Sequence, residues 1–342
     1  MDILFAVVYY FLTILWATVT LLRTALVICT NPVKAFKKTR RDVPPSCLLD
    51  ASLGTHKYVT ANGLKFHYVS GGDESKPLML FLHGFPEFWF SWRYQLQEFS
   101  KDYHVVAIDM RGYNETSKPP HRSDYSFENL RQDIVELVPA LGHRSCILVG
   151  HDWGGIVGWR VTQRHPEVVE RFIVMNCPHA KVFKNQILSR RSQLLKSWYL
   201  FMFQVPWLPE FVFGLKDYAF FNAMFRGKNA GVRNKETFPP EVVEAYKYVF
   251  SKPGAMTGPI NYIRCMFDQH KGAGGNPKPI QVPILILWGD DDLFLDKELC
   301  DQHSLVASNV TTRHIPNCSH WVQQDAYPLV NKHMREFLDE SG

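Results

Sequence analysis

The stretch 150–155, with the sequence GHDWGG, restricts the possible folds of this chain more than any other feature. It follows the apolar run 146–149 and precedes an apolar segment of helical character, 156–161. A strand, a sharp turn and a helix in this order, with small residues around a central aspartate, are typical of a nucleophile elbow. Gly150 and Gly154 suit such a turn because Cβ atoms would have no room there. The alternative is that Asp152 is an ordinary helix N-cap.

Short apolar runs that end in polar or glycine-rich turns recur along the chain. They lie at 78–82, 105–109, 146–150, 172–176, 284–288 and 311–315. Such runs are typical of strands buried on both faces of a parallel sheet. Helix-like stretches separate them, for example 127–141 and 154–164, so we predict an α/β fold with a mostly parallel sheet flanked by helices. Asn62-Gly63 between two short strand-like runs predicts a hairpin at the start of the sheet.

The alternation of strands and helices is interrupted between Asn176 and Ile284 by a helix-like segment rich in aromatic residues. A chain of 342 residues, 46% of them hydrophobic, can bury a sizeable core in one or two domains. We therefore predict a helical cap inserted between strands, and some of its rings should line a cleft towards the sheet. The predicted division is an N-terminal anchor (1–30), a basic, proline-containing linker (31–52), a core (53–178 and 280–342) and the cap (179–279).

The N-terminal segment carries no charged side chain from Ile3 to Leu22. A run of about 20 apolar residues is long enough to cross the hydrocarbon core of a bilayer as a helix. A cleaved signal peptide is the main alternative, but the basic n-region is missing and no small-x-small cleavage site stands out. A buried core helix would need a partner, and this segment is apolar on all faces. The sequence thus predicts one transmembrane helix of the signal-anchor type.

The residues that flank this helix favour a cytosolic catalytic domain at the endoplasmic reticulum. Five cations, Lys34, Lys37, Lys38, Arg40 and Arg41, follow the helix directly, as the positive-inside rule expects of a cytosolic side. Seven cysteines without paired spacing indicate reduced thiols. Sequons at positions 114, 309 and 317 leave the lumenal side open. A net charge of +5 is too mild to indicate a nucleic-acid partner.

Chemically useful side chains follow three of the predicted strands. Asp152 follows one strand, the stretch 289–292 (GDDD) follows another, and 317–321 (NCSHW) follows the last. Open parallel sheets bind ligands at the carboxyl ends of their strands. A single carboxylate or histidine there could be structural. Together Asp152, Asp292 and His320 have the types and the order of a nucleophile, an orienting acid and a general base.

These motifs, with HGFPE at 83–87, RGY at 111–113 and WGDDD at 288–292, make the chain resemble the epoxide hydrolase branch of the α/β-hydrolase superfamily. The resemblance covers about residue 50 to the C-terminus, and the predicted anchor makes the membrane-anchored, type 4 form the most similar kind. It implies that Asp152 opens the epoxide to an alkyl-enzyme ester and that His320, oriented by Asp292, activates water to hydrolyse the ester. It implies an oxyanion hole from the amides of Phe85 and Trp153.

The same resemblance implies a substrate pocket and two tyrosines that donate to the epoxide oxygen. The pocket residues are Pro86, Trp153, Phe203 and Trp321. Pro86 is a candidate cis proline that helps to aim the Phe85 amide. Tyr199 in the cap matches the first tyrosine. The apolar cap suggests lipophilic substrates, such as fatty-acid epoxides from the membrane, and hence a role in lipid metabolism. No metal or organic cofactor is implied.

The position of the second tyrosine departs from the family pattern, because it holds Ile263 while Tyr262 stands one residue earlier. One residue of a helix is a rotation of about 100°. Tyr262 is thus only a tentative second donor and could instead pack in the cap. We expect a hydrolase whose ring-opening step is weakened.

Two other functions fit parts of the sequence. A haloalkane dehalogenase shares the aspartate elbow, but usually has a halide donor where this chain has Phe85 and does not need Tyr199. A membrane-tethered binding protein with a vestigial hydrolase fold is supported only by Ile263, and such proteins commonly lose the groups that are present here at Asp152, Asp292 and His320.

Overall fold

The computed structural model describes residues 3–267 and 279–340, and in this part of the chain the strands form one sheet. The strands are β1 (Thr55–Ala61), β2 (Leu64–Gly71), β3 (Leu78–Leu82), β4 (His104–Ile108), β5 (Cys146–His151), β6 (Val169–Met175), β7 (Ile284–Gly289) and β8 (Val310–Ile315). Their order across the sheet is β1-β2-β4-β3-β5-β6-β7-β8. The pairs β1–β2 and β2–β4 are antiparallel, and all other neighbouring pairs are parallel.

The strands confirm the predicted apolar runs. Every residue of β3, β4, β5 and β7 is buried, as expected of strands covered on both faces. The predicted hairpin joins β1 to β2, and both turn residues have positive φ, 46° at Asn62 and 70° at Gly63. Strand β6 begins three residues earlier than the apolar run, because Val169 and Arg171 also pair with β5.

Helices cover the sheet and fill the gap between β6 and β7. They are α1 (Ile3–Thr30), α2 (Pro32–Phe36), α3 (Arg93–Phe99), α4 (Phe127–Ala140), α5 (Trp153–Arg164), α6 (Ala180–Ser189), α7 (Arg191–Lys196), α8 (Tyr199–Met202), α9 (Leu208–Arg226), α10 (Pro240–Phe250), α11 (Thr257–Cys265), α12 (Val322–Asp325) and α13 (Tyr327–Asp339). Residues 215–218 of α9 have non-helical backbone angles and divide it into two parts. The predicted α/β architecture, a mostly parallel sheet flanked by helices, is confirmed.

Helices α6 to α11 lie in sequence between β6 and β7, where we predict the inserted cap. Aromatic rings form much of their interior, with Phe221, Phe225 and Tyr246 each fully buried. The rings of Phe225 and Tyr246 are 4.4 Å apart. Residues 268–278 of the predicted cap lie outside the described residues.

Helix α1 is the candidate membrane segment. The stretch Ala6–Thr30 has a mean hydropathy of 1.9 and is long and apolar enough to cross a bilayer, by length and composition alone. All seven cysteines, each within the described residues, are free thiols.

The turn between β5 and α5 leaves no space for a side chain at Gly154. A Cβ atom there would lie 2.1 Å from the carbonyl oxygen of Leu82 in the neighbouring strand β3. Gly150 is also confined, though less tightly, since its Cβ would lie 2.8 Å from the backbone of Gly154. The elbow therefore packs backbone directly against backbone.

We predict that Gly154→Ala destabilises the protein by about 3 kcal/mol, at the upper end of the usual cost of overpacking, because backbone atoms cannot move aside. Chemical denaturation followed by tryptophan fluorescence measures the change. Gly214→Ala is the matched control, since no atom lies within 4 Å of its added Cβ. Equal stability of the two variants would contradict this view of the elbow.

Candidate active site

Asp152 occupies a turn that few non-glycine residues adopt. Its φ of 48° and ψ of −116° lie between β5 and the start of α5. A positive φ at a non-glycine residue is uncommon and recurs at functional sites. The side chain makes no capping hydrogen bond to α5, so the alternative that Asp152 is an ordinary N-cap does not describe this turn. The carboxylate instead points towards the loop that follows β3.

The three predicted strand ends meet around His320. Its Nε2 lies 3.6 Å from Oδ2 of Asp152, and its Nδ1 lies 2.6 Å from Oδ2 of Asp292. Asp152 follows β5, Asp292 follows β7 and His320 follows β8, so their approach results from the parallel order of these strands. The distance of 3.6 Å between Nε2 of His320 and Oδ2 of Asp152 is too long for a good hydrogen bond.

Asp292 is held by a set of donors that the sequence did not indicate. The side-chain amide of Asn176 donates to Oδ2 at 2.7 Å, and the amides of Phe294 and Leu295 donate to Oδ1 at 2.6 and 3.0 Å. Burial alone would raise the pKa of Asp292, but the charge of His320 and these hydrogen bonds outweigh it and lower the pKa. Asp292 is therefore a fixed negative charge behind His320.

His320 carries a strongly perturbed pKa. Burial alone would lower the pKa of this imidazole, but the carboxylates of Asp292 and Asp152 outweigh burial and raise the pKa to about 10. At neutral pH the unreacted site is thus an imidazolium between two carboxylates. The pKa depends on the charge of Asp152, so any reaction that neutralises Asp152 favours loss of the proton from His320.

A network of hydrogen bonds between buried side chains holds the loops of this site together. His151, next to Asp152, places Nε2 2.9 Å from the carbonyl oxygen of His320 and Nδ1 2.7 Å from Oε2 of Glu87. Gln323 and Gln324 donate to Glu87 at 3.0 and 2.8 Å. The network joins the loop after β3, the elbow and the loop of His320. The only sequence signal for it is that Glu87 and His151 belong to the quoted motifs.

One half of the predicted oxyanion hole contacts Asp152. The amide of Phe85 donates to Oδ1 of Asp152 at 2.8 Å, and the Phe85–Pro86 peptide bond is cis, as predicted. The recorded hydrogen bonds of the described residues include none from the Trp153 amide to Asp152, so that part of the hole stays a prediction. Gly84 is required here, because its Cβ would lie 2.6 Å from that of Asp152.

Tyr199 offers a free donor close to these charges. Its hydroxyl has no recorded hydrogen-bond partner among the described residues, and its ring lies 5.8 Å from Phe203 and 5.9 Å from Phe294. The ring of Phe294 lies in turn 5.1 Å from His320. Burial, with the charges of Asp152 and Asp292, raises the pKa of Tyr199, so the hydroxyl keeps its proton at neutral pH.

Tyr262 has a different environment from the one that a second donor needs. Its hydroxyl donates to the carbonyl oxygen of Arg111 at 2.8 Å, and this bond takes up its only proton. Its ring is fully buried and lies 5.9 Å from Trp153. The tentative donor role is thus not supported, and Tyr262 packs the cap onto the core. Ile263, also fully buried, has no polar side chain to offer.

Aromatic rings surround the predicted substrate pocket. Phe85 lies 5.5 Å from Phe203, and Trp321 lies 5.0 Å from His320. The indole of Trp321 donates to cap carbonyls at 3.0 and 3.2 Å, which fixes its ring. Pro86 and Trp153 are buried. The walls are thus apolar, whereas the reacting groups at their centre are charged.

One cluster of candidate metal ligands consists of residues other than those of the predicted site. Cys300, Asp301 and His314 are the only such group found in the described part of the chain. The two ring nitrogens of His314 already face Asp290 at 2.5 Å and Asp301 at 3.2 Å. This ion pair accounts for the cluster without a metal.

Known proteins are similar to this chain in sequence and in fold. Residues 77–327 match the family described as the alpha/beta hydrolase fold. Human epoxide hydrolase 4 is 43% identical over 95% of this chain and 90% of its own length. Epoxide hydrolase 3 of Xenopus tropicalis is 42% identical over 97% and 91%. The chain belongs to the epoxide hydrolases of this family.

A solved structure agrees with this membership. A mutant of an epoxide hydrolase from Bacillus megaterium, complexed with its product, a naphthyloxy-propane-1,2-diol, is 30% identical with a TM-score of 0.75. The match covers 83% of this chain and all of that one. The epoxide hydrolase branch predicted from the motifs is thus confirmed.

We predict that Asp292→Asn lowers the pKa of His320 from its value of about 10, because one of its two carboxylate neighbours loses its charge. Histidine-selective NMR titration measures it. Steady-state turnover should fall by about 10⁴, as when the aspartate of a serine-protease triad becomes asparagine. Asp296→Asn is the control, since Asp296 bonds to Ser192 and Lys196 instead. If the pKa of His320 were unchanged in Asp292→Asn, the assigned geometry would be contradicted.

Proposed function

We propose that this epoxide hydrolase converts lipophilic epoxides to vicinal diols through an ester on Asp152. The observation that carries the proposal is that the two carboxylate oxygens of Asp152 have different surroundings. Oδ1 of Asp152 is held by the Phe85 amide at 2.8 Å, whereas Oδ2 faces His320 at 3.6 Å. Oδ2 is therefore the free nucleophile, and Oδ1 becomes the ester carbonyl oxygen.

Ring opening would proceed by in-line displacement. Oδ2 of Asp152 forms a bond to one epoxide carbon while the bond from that carbon to the ring oxygen breaks. The oxygen that leaves takes a proton from Tyr199, which regains it from the His320 imidazolium through water. The product is a neutral ester, a neutral His320 and a new hydroxyl group.

Ester hydrolysis would use the pKa change that the first step causes. With Asp152 neutralised, one of the charges that raise the pKa of His320 is gone, so the imidazole can act as a base. His320 takes a proton from water, and the hydroxide attacks Cγ of Asp152. The oxyanion develops on Oδ1, which the Phe85 amide already binds. Collapse releases the diol oxygen, which takes the proton of His320, and Asp152 returns its own proton to His320.

The lining supports a lipophilic substrate, because it is largely aromatic. Phe85, Phe203 and Trp321 offer no side-chain anion or cation to a polar ligand, and the Trp321 indole is engaged in the cap. We further propose that α1 attaches the enzyme to the endoplasmic reticulum, with the catalytic domain in the cytosol. The cations that follow α1 and the free cysteines support this side of the membrane.

We predict that His320→Ala accumulates a covalent adduct on Asp152 with the mass of the epoxide, because the ester forms but no base activates water. Intact-protein and peptide mass spectrometry detect it, and Asp152→Asn is the control without adduct. An adduct and halide release from haloalkanes, with none from epoxides, would indicate a dehalogenase. No adduct from either substrate would indicate a binding protein.

We predict that Ile263→Tyr accelerates ring opening by up to about 10²–10³, the usual effect of one preorganised donor. The reason is that Tyr199 would be the only tyrosine that donates a hydrogen bond to the epoxide oxygen, since the Tyr262 hydroxyl donates to the carbonyl oxygen of Arg111. Rapid-quench measurement of ester formation isolates this step. Ile263→Phe adds a ring of similar size without the hydroxyl and is the matched control. Equal rates of the two variants would show that position 263 does not face the oxygen.

A further inference from the structure

Helix α1 lies along the surface of the cap. The hydroxyl of Tyr9 donates to Oε1 of Gln204 at 3.3 Å, and the Tyr9 ring lies 5.1 Å from Phe267. Two helical turns later, the ring of Trp16 lies 5.2 Å from that of Trp198. Contacts at two points along α1 define its direction, so it is packed lengthwise on the cap.

These contacts are incompatible with an upright span. Residues Tyr9 and Trp16 precede Thr30, the last residue of α1, by distances of about 31 and 21 Å along a helix. The hydrocarbon core is about 30 Å thick. If α1 crossed it with the enzyme at its C-terminal end, Tyr9 would lie near the opposite face. Gln204 and Trp198 would then have to lie deep inside the membrane with it.

The side of α1 that faces away from the cap is apolar and exposed. Phe11, Leu15, Leu22 and Leu26 on this side are between 41% and 66% exposed. Arg23, seven residues after Trp16, lies on the same side of α1 as Tyr9 and Trp16, and its exposed side chain can reach the head groups from a helix at the interface. A helix with one side on the protein and exposed apolar residues on the other can bury those residues in a leaflet without crossing the bilayer.

The apolar surface continues from α1 onto the cap. Leu195, three residues before Trp198, is 69% exposed, and Trp207 at the start of α9 is 77% exposed. Phe36 of α2 and Phe211 of α9 are both exposed, and their rings lie 6.4 Å apart. Several large apolar side chains exposed on the same two elements, α1 and the cap, mark a membrane or protein contact.

Exposed cations border the patch. Lys34 and Lys37 follow α1 directly and have no recorded acidic partner in the described part of the chain. Tryptophan and lysine at the rim of an apolar surface suit the head-group region of an anionic bilayer. A second copy of the chain would not require these cations.

We infer that α1 is an in-plane membrane helix, and that it forms with Leu195, Trp207 and Phe211 one face that dips into the cytosolic leaflet. The inference rests on the proposed attachment to the membrane and changes its form from a span to an in-plane contact. It also places α8 at the bilayer, since α1 touches Trp198 and Phe201 on either side of Tyr199. Epoxides dissolved in the leaflet then reach the helix that carries the oxygen donor.

The position of the N-terminus tests the inference most simply. An epitope placed before Met1 of the full chain is expected to be digested by protease in intact microsomes, together with the catalytic domain. Protection of the epitope while the catalytic domain is digested would show a span and overturn the in-plane arrangement. Recovery of the whole protein in the soluble fraction would contradict the membrane attachment itself. Neither result bears on the chemistry of Asp152.

Crosslinking in the same microsomes tests the packing of α1. The pair Trp16→Cys with Trp198→Cys should be joined by a short bis-maleimide crosslinker that spans the space of the two lost rings, identified by mass spectrometry of the joined peptides. The control pair Leu15→Cys with Trp198→Cys places the thiol on the exposed side and should not. Equal yields from the two pairs would contradict the packing.

The patch is tested by Leu195→Glu with Trp207→Glu in the full chain. Turnover of an epoxide held in vesicles of phosphatidylcholine and phosphatidylserine should fall at least tenfold, whereas turnover of a water-soluble epoxide should not change. Leu305→Glu is the control, because Leu305 is an exposed leucine on the surface of the α/β core domain and not on the cap. Equal turnover of the vesicle substrate by all variants would overturn the inference, as would a dimer that these two substitutions dissociate.

Discussion

The backbone conformation of Asp152 is the constraint on which the site depends. Its φ of 48° directs the carboxylate away from α5 and towards the loop after β3. The carboxylate reaches this loop because the backbone of β3 and of the loop after it packs very close to the elbow. Added Cβ atoms at Gly84 and Gly154 would lie 2.6 Å from Asp152 and 2.1 Å from Leu82. The parallel strands then deliver Asp292 and His320 to the same edge.

In the proposed mechanism, electrostatics turns this geometry into a two-step cycle. Asp292 is a permanent charge because Asn176 and two backbone amides bind it. Asp152 would be a temporary charge, since the proposed ester removes it. The pKa of His320, raised to about 10 while both carboxylates are charged, is therefore high before the first step and lower after it. One imidazole can thus return a proton in the first step and accept one in the second.

The sequence predicted the sheet well, and it placed Asp152, Asp292 and His320 at the strand ends where the structure has them, because both depend on local patterns. Buried parallel strands must be apolar throughout, and an elbow needs glycine next to its nucleophile. The contacts between distant segments were not predictable in this way. The hydroxyl of Tyr262 binds Arg111, and Asn176 binds Asp292, through the packing of cap and sheet.

The position of α1 shows the same limit. Its hydropathy predicts that it enters a membrane, yet it does not tell how the helix lies there. The partners of Tyr9 and Trp16 are almost 200 residues away in sequence, and only the folded cap brings them together. The orientation of a membrane helix is set by such packing and by its flanking residues.

A single turnover in ¹⁸O-water, with enzyme in excess over a lipophilic epoxide, tests the ester mechanism most directly. If hydroxide attacks Cγ of Asp152, the label appears in the peptide that contains Asp152, and the first diol released is unlabelled. If water attacked the epoxide carbon itself, the diol would carry the label and Asp152 would carry none, and this result would contradict a nucleophilic Asp152.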